Sequence, residues 1–350
     1  MGLRDEILEQ PAAARRQLAS STPAIEALAA RVRAEPIDSV VIAARGTSDH
    51  AAIYGQYLLG AVNRLPVALA APSILSLYGV EPRFGRALVI GISQSGSSPD
   101  VVGIVAAGRR QGVPTLAITN DPSSALAEAA EYVVDLAAGP ERAIAATKTY
   151  TTSLLALARL SIALADPADA ARTEASEAAL ALVPDAIEAA VGVEAEVAAI
   201  AGQMAAVDRL VVLGRGYEYA TAREWALKLK ELAQVFADPY SAADFLHGPI
   251  ALVQGGVPVL AIVPDGPTAA GMTDLLARLG ELDADSVVLS DSAPLRALGR
   301  RSIALPAGLP EWLRPIVSIV PAQLFAYHLT LARGLDPEAP RHLRKVTRTT

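Results

Sequence analysis

No cysteine occurs among the 350 residues, and there are only four histidines, His50, His247, His328 and His342. The first absence excludes disulfides, thiolate metal sites and a cysteine nucleophile. The second leaves no pair at metal-ligand spacing, so neither a metal nor another cofactor is expected. A basic block is also missing. The net charge is −7 and the pI near 5.3, whereas a nucleic-acid partner needs clustered Lys and Arg against its phosphates. No apolar run reaches the ~20 residues of a membrane span. The longest, residues 154–165, contains Arg159 and reads as a buried helix. Residues 1–10 carry no signal-peptide core, and Glu6 departs from the myristoylation pattern. A cytoplasmic protein that meets neither nucleic acid nor membrane is the expectation.

What the chain does have is apolar bulk, 52% of its residues, arranged as short runs that alternate with helical patterns. SVVIAA (39–44), ALVIGIS (87–93), PTLAITN (114–120) and YVVDL (132–136) each precede a turn and a helix-compatible stretch. Runs of Val, Ile and Leu without alternation predict strands covered on both faces, hence parallel sheets. The fold class is therefore α/β, an open sheet between helical layers.

The pattern then recurs. Arg215-Gly216 lies 170 residues after Arg45-Gly46 (215 − 45), and the same shift carries 87–96 onto 257–266 and 115–121 onto 285–291. Any α/β protein contains similar strands, but chance would not hold the spacing, so the chain contains two copies of one domain. The boundaries read as N-terminal helices over 1–36, a first domain over 37–165, a helical linker over 166–208, a second domain over 209–335 and a basic tail over 336–350. The N-terminal segment is expected to form two amphipathic helices, with Pro23 starting the second.

Candidate chemistry begins at the turn Ser93-Gln94-Ser95-Gly96-Ser97-Ser98, between a strand and a helix that starts at Pro99. Hydroxyls and backbone amides at a helix N-terminus suit an anion, and Gly96 permits close approach. The turn could equally do no more than cap its helix. A second turn, Arg45-Gly46-Thr47-Ser48, also follows a strand, where loops of open sheets converge on ligands. Neither turn matches a nucleotide-binding motif. In the second copy the serine turn becomes VPDGPT, where Asp265 would repel phosphate and Pro264 lacks an amide donor; a single anion site is expected. The predicted helix 222–235 places Glu224, Lys228 and Glu231 on one face. Such a face is usually solvated; alternatively Lys228 and Glu231 line a cleft, where a buried carboxylate could shuttle a proton. His247, before Gly248-Pro249, is either a surface histidine or a catalytic one on a loop or helix edge.

Seven ordered motifs carry a family resemblance: EILEQP (6–11), RGTSDHA (45–51), SQSGSSPD (93–100), AATKTY (145–150), ALKLKE (226–231), HGP (247–249) and RKVT (344–347). Together they resemble tandem sugar isomerase (SIS) domains, as in the isomerase half of glutamine–fructose-6-phosphate aminotransferase, with flavodoxin-like three-layer domains. The resemblance implies a sugar phosphate held by Thr47, Ser48, Ser93, Gln94, Ser95 and Ser98. It implies that Ile144 and Ala145 line the sugar through their backbones, that Glu231 moves a proton between C1 and C2, and that Lys228 and Lys345 assist at the sugar oxygens. His247 would open the ring, contributed across a homodimer interface. The chain departs from the aminotransferase in lacking a glutaminase domain and cysteine, in Ala146-Thr147-Lys148, and in Ala243-Asp244-Phe245-Leu246 before His247. These departures resemble the SIS-type glucosamine-6-phosphate deaminases. The expected reaction is release of ammonia from glucosamine 6-phosphate; a fructosamine-6-phosphate deglycase, a plain phosphosugar isomerase and a non-catalytic sugar-phosphate sensor are the rivals.

Overall fold

A computed structural model describes residues 2–20, 23–253 and 256–345. Val346, Thr347 and Arg348, invoked above for the tail and its motif, lie outside the described residues. The chain divides into two compact units. One comprises Ala12–Glu141, Lys148–Ala181 and Arg344–Thr350; the other comprises Met1–Pro11, Arg142–Thr147 and Leu182–Leu343.

The first unit contains a five-stranded parallel sheet formed by β1 (Ser39–Ala43), β2 (Val67–Leu69), β3 (Ala87–Ile92), β4 (Thr115–Thr119) and β5 (Tyr132–Asp135), in the order β2-β1-β3-β4-β5. The second unit repeats it with β6 (Arg209–Gly214), β7 (Phe236–Ser241), β8 (Pro258–Ile262), β9 (Asp285–Ser290) and β10 (Arg301–Ala304), in the order β7-β6-β8-β9-β10. Both sheets are flanked by helices, so each domain is a three-layer α/β/α sandwich. The offset of 170 places β6 on β1 and β9 on β4 to the residue (209 − 39 and 285 − 115).

The non-alternating runs behave as expected. Every residue of β3, β4 and β8 is buried, because helices cover both faces. Val89, Val101, Ile104, Val105 and Leu126 build one core on the first sheet; Val211, Val259, Met272, Leu275 and Leu279 build its counterpart on the second. Three strands had no signal strong enough to be expected: β2, β7 and β10. All are edge strands or adjoin an edge, and β7 contains Asp238 and Pro239, tolerable only where one side of the strand needs no partner.

The N-terminal segment forms three helices rather than two: Leu3–Leu8, Gln10–Ala19 and Pro23–Ala34. The extra break falls at Glu9, two residues before Pro11. Proline has no N–H, and its ring clashes with the carbonyl four residues earlier, which disfavours one continuous helix through this point. The segment 166–208 is helical, as Ala170–Ala181, Val183–Val191 and Glu194–Gln203. Among the described residues one helix, Pro315–Ala332, is long and apolar enough to cross a membrane by length and composition, but 78% of that window is buried within the protein.

The order β2-β1-β3 reverses direction between β1 and β3. In open α/β sheets the carboxyl ends of the strands flanking such a reversal frame a ligand crevice. The turns that follow β1 and β3 are Arg45–Ser48 and the serine turn 93–98.

Candidate active site

Within the first unit the serine turn is held in a single shape by its neighbours. Asn120 N–H donates to the Gln94 carbonyl (3.1 Å) and Leu126 N–H to the Gly96 carbonyl (2.9 Å). Gly96 has φ +58°, and a Cβ there would stand 1.9 Å from Ser124 Oγ. Only glycine satisfies both constraints. Ser93 is buried, while Gln94, Ser95, Ser97 and Ser98 are half-buried. Ser95 and Ser97 hydroxyls share a hydrogen bond of 2.8 Å.

Ser98 is the N-cap of helix Pro99–Arg110, yet its side chain makes no capping hydrogen bond. The Val101 N–H, one of the helix's first-turn donors, is taken instead by Asp100 Oδ1 at 2.9 Å. The hydroxyl of Ser98 is thus not committed to its own helix. Thr47 and Ser48 open helix Thr47–Asn63 after Gly46 (φ +55°) and are half-buried. Arg45, which precedes them, reaches across to Asp100: Nε lies 2.7 Å from Oδ2.

Lys345 also belongs to this unit. Its ammonium pairs with Glu141 Oε2 at 2.8 Å, and that carboxylate is fully buried. Glu141 further accepts hydrogen bonds from Thr149 N–H (3.1 Å) and Thr149 Oγ (2.8 Å), in the first turn of helix Lys148–Ala163. A carboxylate at a helix N-terminus is favoured by the helix dipole, which gives the tail lysine a fixed anchor. Sequence reading passed over Glu141, because its partner lies 204 residues away.

The second unit holds the remaining candidates. The loop Arg142–Thr147 carries Ile144 and Ala145, half-buried and buried. Glu6 fixes it: its carboxylate accepts the backbone N–H groups of Arg142 and Ala143. Gln10 donates to Gln323 Oε1 at 2.8 Å. The motif EILEQP therefore has a physical role, as Glu6 orients the loop and Gln10 secures the N-terminal segment to helix Pro315–Ala332.

The face bearing three charges is not solvated. Side chains of Glu224 and Lys228 are 0% and 1% exposed, and Glu231 23%. Lys228 Nζ lies 3.4 Å from Glu224 and 2.6 Å from Glu231. Burial pushes the Lys228 pKa down, but the charges of the two glutamates and their hydrogen bonds outweigh it and hold the group above the ordinary lysine range. Lys228 is an ammonium at any physiological pH. The expected α-helix over 222–235 is corrected in its second half: Glu218–Lys228 is α-helical, but Leu229–Ala233 is a π turn, ended by Gln234 at φ +56°. Wider turns of this kind occur mostly as single bulges in helices and are frequent at functional sites; this one carries Glu231.

His247 follows the short helix Ala242–Leu246 as its C-cap and is exposed. Gly248 at φ +140° then turns the chain into Pro249–Leu252.

The second copy's strand-end turns are filled from within. Asp265 N–H donates to Asp291 Oδ1 (2.8 Å), and Arg314 pairs with Asp291 (3.1 Å) and donates to the Asp265 carbonyl. Thr268 Oγ donates to Glu311 (3.0 Å). Glu218, which stands where the first copy has Ser48 (218 − 48 = 170), is fully buried and accepts Ser318 Oγ at 2.7 Å. Burial pushes its carboxyl up to about 7.

A family model described as SIS domain matches residues 36–163 and 203–333. Glutamine–fructose-6-phosphate aminotransferase (isomerizing) from Pyrococcus horikoshii is 34% identical over 310 residues, covering 88% of this chain and 51% of that protein. The C-terminal domain of glucosamine-fructose-6-phosphate aminotransferase from Francisella tularensis superimposes with a TM-score of 0.84 at 26% identity, covering 96% of this chain and 97% of that one. Glucosamine-6-phosphate deaminase from Thermotoga maritima shares the fold, with a TM-score of 0.73 at 22% identity and 99% coverage of each chain. The chain spans about half the length of the curated relatives it matches.

Proposed function

The chain belongs to the SIS domain family, and we propose from this that it is a phosphosugar enzyme that converts glucosamine 6-phosphate into fructose 6-phosphate and ammonia. The observation that carries the reading is the buried Lys228 ammonium held 2.6 Å from the Glu231 carboxylate. A lysine and a glutamate removed from water in this way cost free energy unless paired, and the partly exposed Glu231 is the member free to meet a ligand. In this reading Thr47, Ser48, Ser93, Gln94, Ser95 and Ser98 bind phosphate, and the backbone at Ile144 and Ala145 binds sugar.

In the proposed reaction His247, supplied by a second copy of the chain, assists ring opening. Glu231 removes the C2 proton of the open aldehyde while O1 takes up a proton that the substrate ammonium gives up, leaving an enolamine. Return of the same proton to C1 gives the C2 ketimine, water adds at C2, and ammonia leaves. One mobile proton serves both steps, so one carboxylate acts as base and then acid. The Lys228 and Lys345 ammonium groups stabilise negative charge on the sugar oxygens, and phosphate contacts remote from the reacting carbons orient them. Deamination is the reading that Ala146-Thr147-Lys148 and Ala243-Asp244-Phe245-Leu246 before His247 support, the two places where these residues depart from the aminotransferase motifs.

The purified chain should release ammonia and fructose 6-phosphate from glucosamine 6-phosphate, followed by coupled assay. Glu231→Gln should keep phosphosugar affinity while turnover falls roughly 10²–10⁴-fold. Full activity in that variant removes Glu231 from the mechanism. Phosphosugar binding without ammonia release, but with aldose–ketose exchange, would move the reading to a plain isomerase.

A further inference from the structure

We propose that Arg45 is a positioning residue for phosphate binding and that it acts through Asp100. The inference rests on the reading of turn 93–98 as the phosphate cradle. Asp100 is the second residue of helix Pro99–Arg110, directly after the serine turn, and its carboxylate is 1% exposed. One oxygen takes the Val101 N–H, a donor that would otherwise serve an anion at the helix start. The other oxygen accepts from Arg45 Nε at 2.7 Å. A phosphate monoester carries a charge of about −1.5 to −2 at neutral pH. An uncompensated buried carboxylate in the same first turn would oppose it.

Arg45 removes that opposition and does so from the other turn of the cradle, 55 residues earlier in the chain. Its side chain is 46% exposed, so the pair sits at the edge of the crevice rather than in the core. One contact therefore cancels a charge beside the phosphate and ties the turn carrying Thr47 and Ser48 to the turn carrying Ser95 and Ser98. The second copy supplies an internal contrast. Arg215 stands at the Arg45 position and lies against the first turn of the corresponding helix, near Gly271. The Asp100 position there is Ala270 (270 − 100 = 170). The second copy keeps the arginine but not the carboxylate, and it also lacks the serine turn. The pair occurs only where an anion cradle needs it.

The test uses the full chain and calorimetric titration with glucosamine 6-phosphate and with inorganic phosphate. Arg45→Ala should weaken glucosamine 6-phosphate binding on the order of ten-fold, raising KM with little change in kcat. Arg45→Lys should recover most of the loss. The double variant Arg45→Ala, Asp100→Asn should return to within roughly two-fold of the parent, because the charge being cancelled is gone. If thermal melting shows that Asn is not tolerated at this buried position, Asp100→Ser in the same background makes the same comparison. Unchanged affinity in Arg45→Ala overturns the inference. So does a double variant as weak as Arg45→Ala, which would mean direct contact between Arg45 and phosphate. A parent chain that binds neither probe sinks the cradle reading along with it, whereas one that binds but releases no ammonia leaves this inference standing.

Discussion

The two copies end their first and third strands in turns of the same length, yet treat negative charge in opposite ways. In the first copy the positions are Ser48, Ser95 and Ser98; in the second they are Glu218, Asp265 and Thr268. The second copy's donors are taken by the protein's own carboxylates, Asp291 on the Asp265 amide and Glu311 on the Thr268 hydroxyl. The first copy leaves Ser98 without a capping bond and balances Asp100, the buried acid beside its serine turn, with Arg45. A duplicated fold thus kept two identical frames and filled one with internal anions. A ligand crevice is the default property of this strand order; acids in the turn close it to an anion.

The largest test of this contrast is to carry an acid across. Ser95→Asp places in the first turn the residue found at the matching position 265, and should lower glucosamine 6-phosphate affinity about 100-fold or more, since like charges brought together cost several kcal/mol. Calorimetry measures it, and retained tight binding would break the comparison. Next in size is the pH behaviour of Glu218. Its carboxyl is pushed from the ordinary 4.5 up to about 7 by burial. The native state therefore holds a proton that the unfolded chain loses between those values. Stability should fall as pH rises from about 4.5 to 7 and level off above. Glu218→Gln cannot ionise, so the fall between pH 5 and 8 should shrink by up to about 3 kcal/mol in denaturant titrations. An unchanged slope would show that Glu218 ionises normally. The smallest expected effect is none: Asp265→Ser should leave one sugar phosphate bound per chain, because Asp291 still occupies the turn. A second binding event would show that Asp265 alone closes the site.

The legible and illegible parts of the molecule divide along physical lines. Strands β1, β3, β4, β6, β8 and β9 were readable because buried central strands must be apolar on both faces, and the edge strand β5 was readable from its apolar YVV run. β2, β7 and β10 were not, because exposed edges relax that demand and admit residues such as Asp238 and Pro239. The serine turn stood out as a candidate anion cradle because its chemistry is contiguous in sequence. The partners that shape the site were not: Arg45 meets Asp100, Glu141 meets Lys345, and Glu6 meets Arg142 across 55, 204 and 136 residues. The charged face at Glu224, Lys228 and Glu231 was visible as a pattern, but periodicity cannot distinguish a solvated ion row from a buried one. Nor does any local propensity in LKELA distinguish a π turn from a continuing α-helix.

That π turn bears on which insertions and deletions this lineage can survive. A π turn is an α-helix with one extra residue, so loss of a single residue within Leu229–Ala233 would let the backbone relax to ordinary helix. Residues beyond the deletion would swing about 100° around the axis relative to those before it, and a carboxylate there would no longer face Lys228. Such a change would be quiet for folding, and severe for chemistry under the proposed role of Glu231. If Glu231 is the proposed proton carrier, a one-residue deletion in this turn should keep the fold and abolish turnover, as circular dichroism and the ammonia-release assay would show.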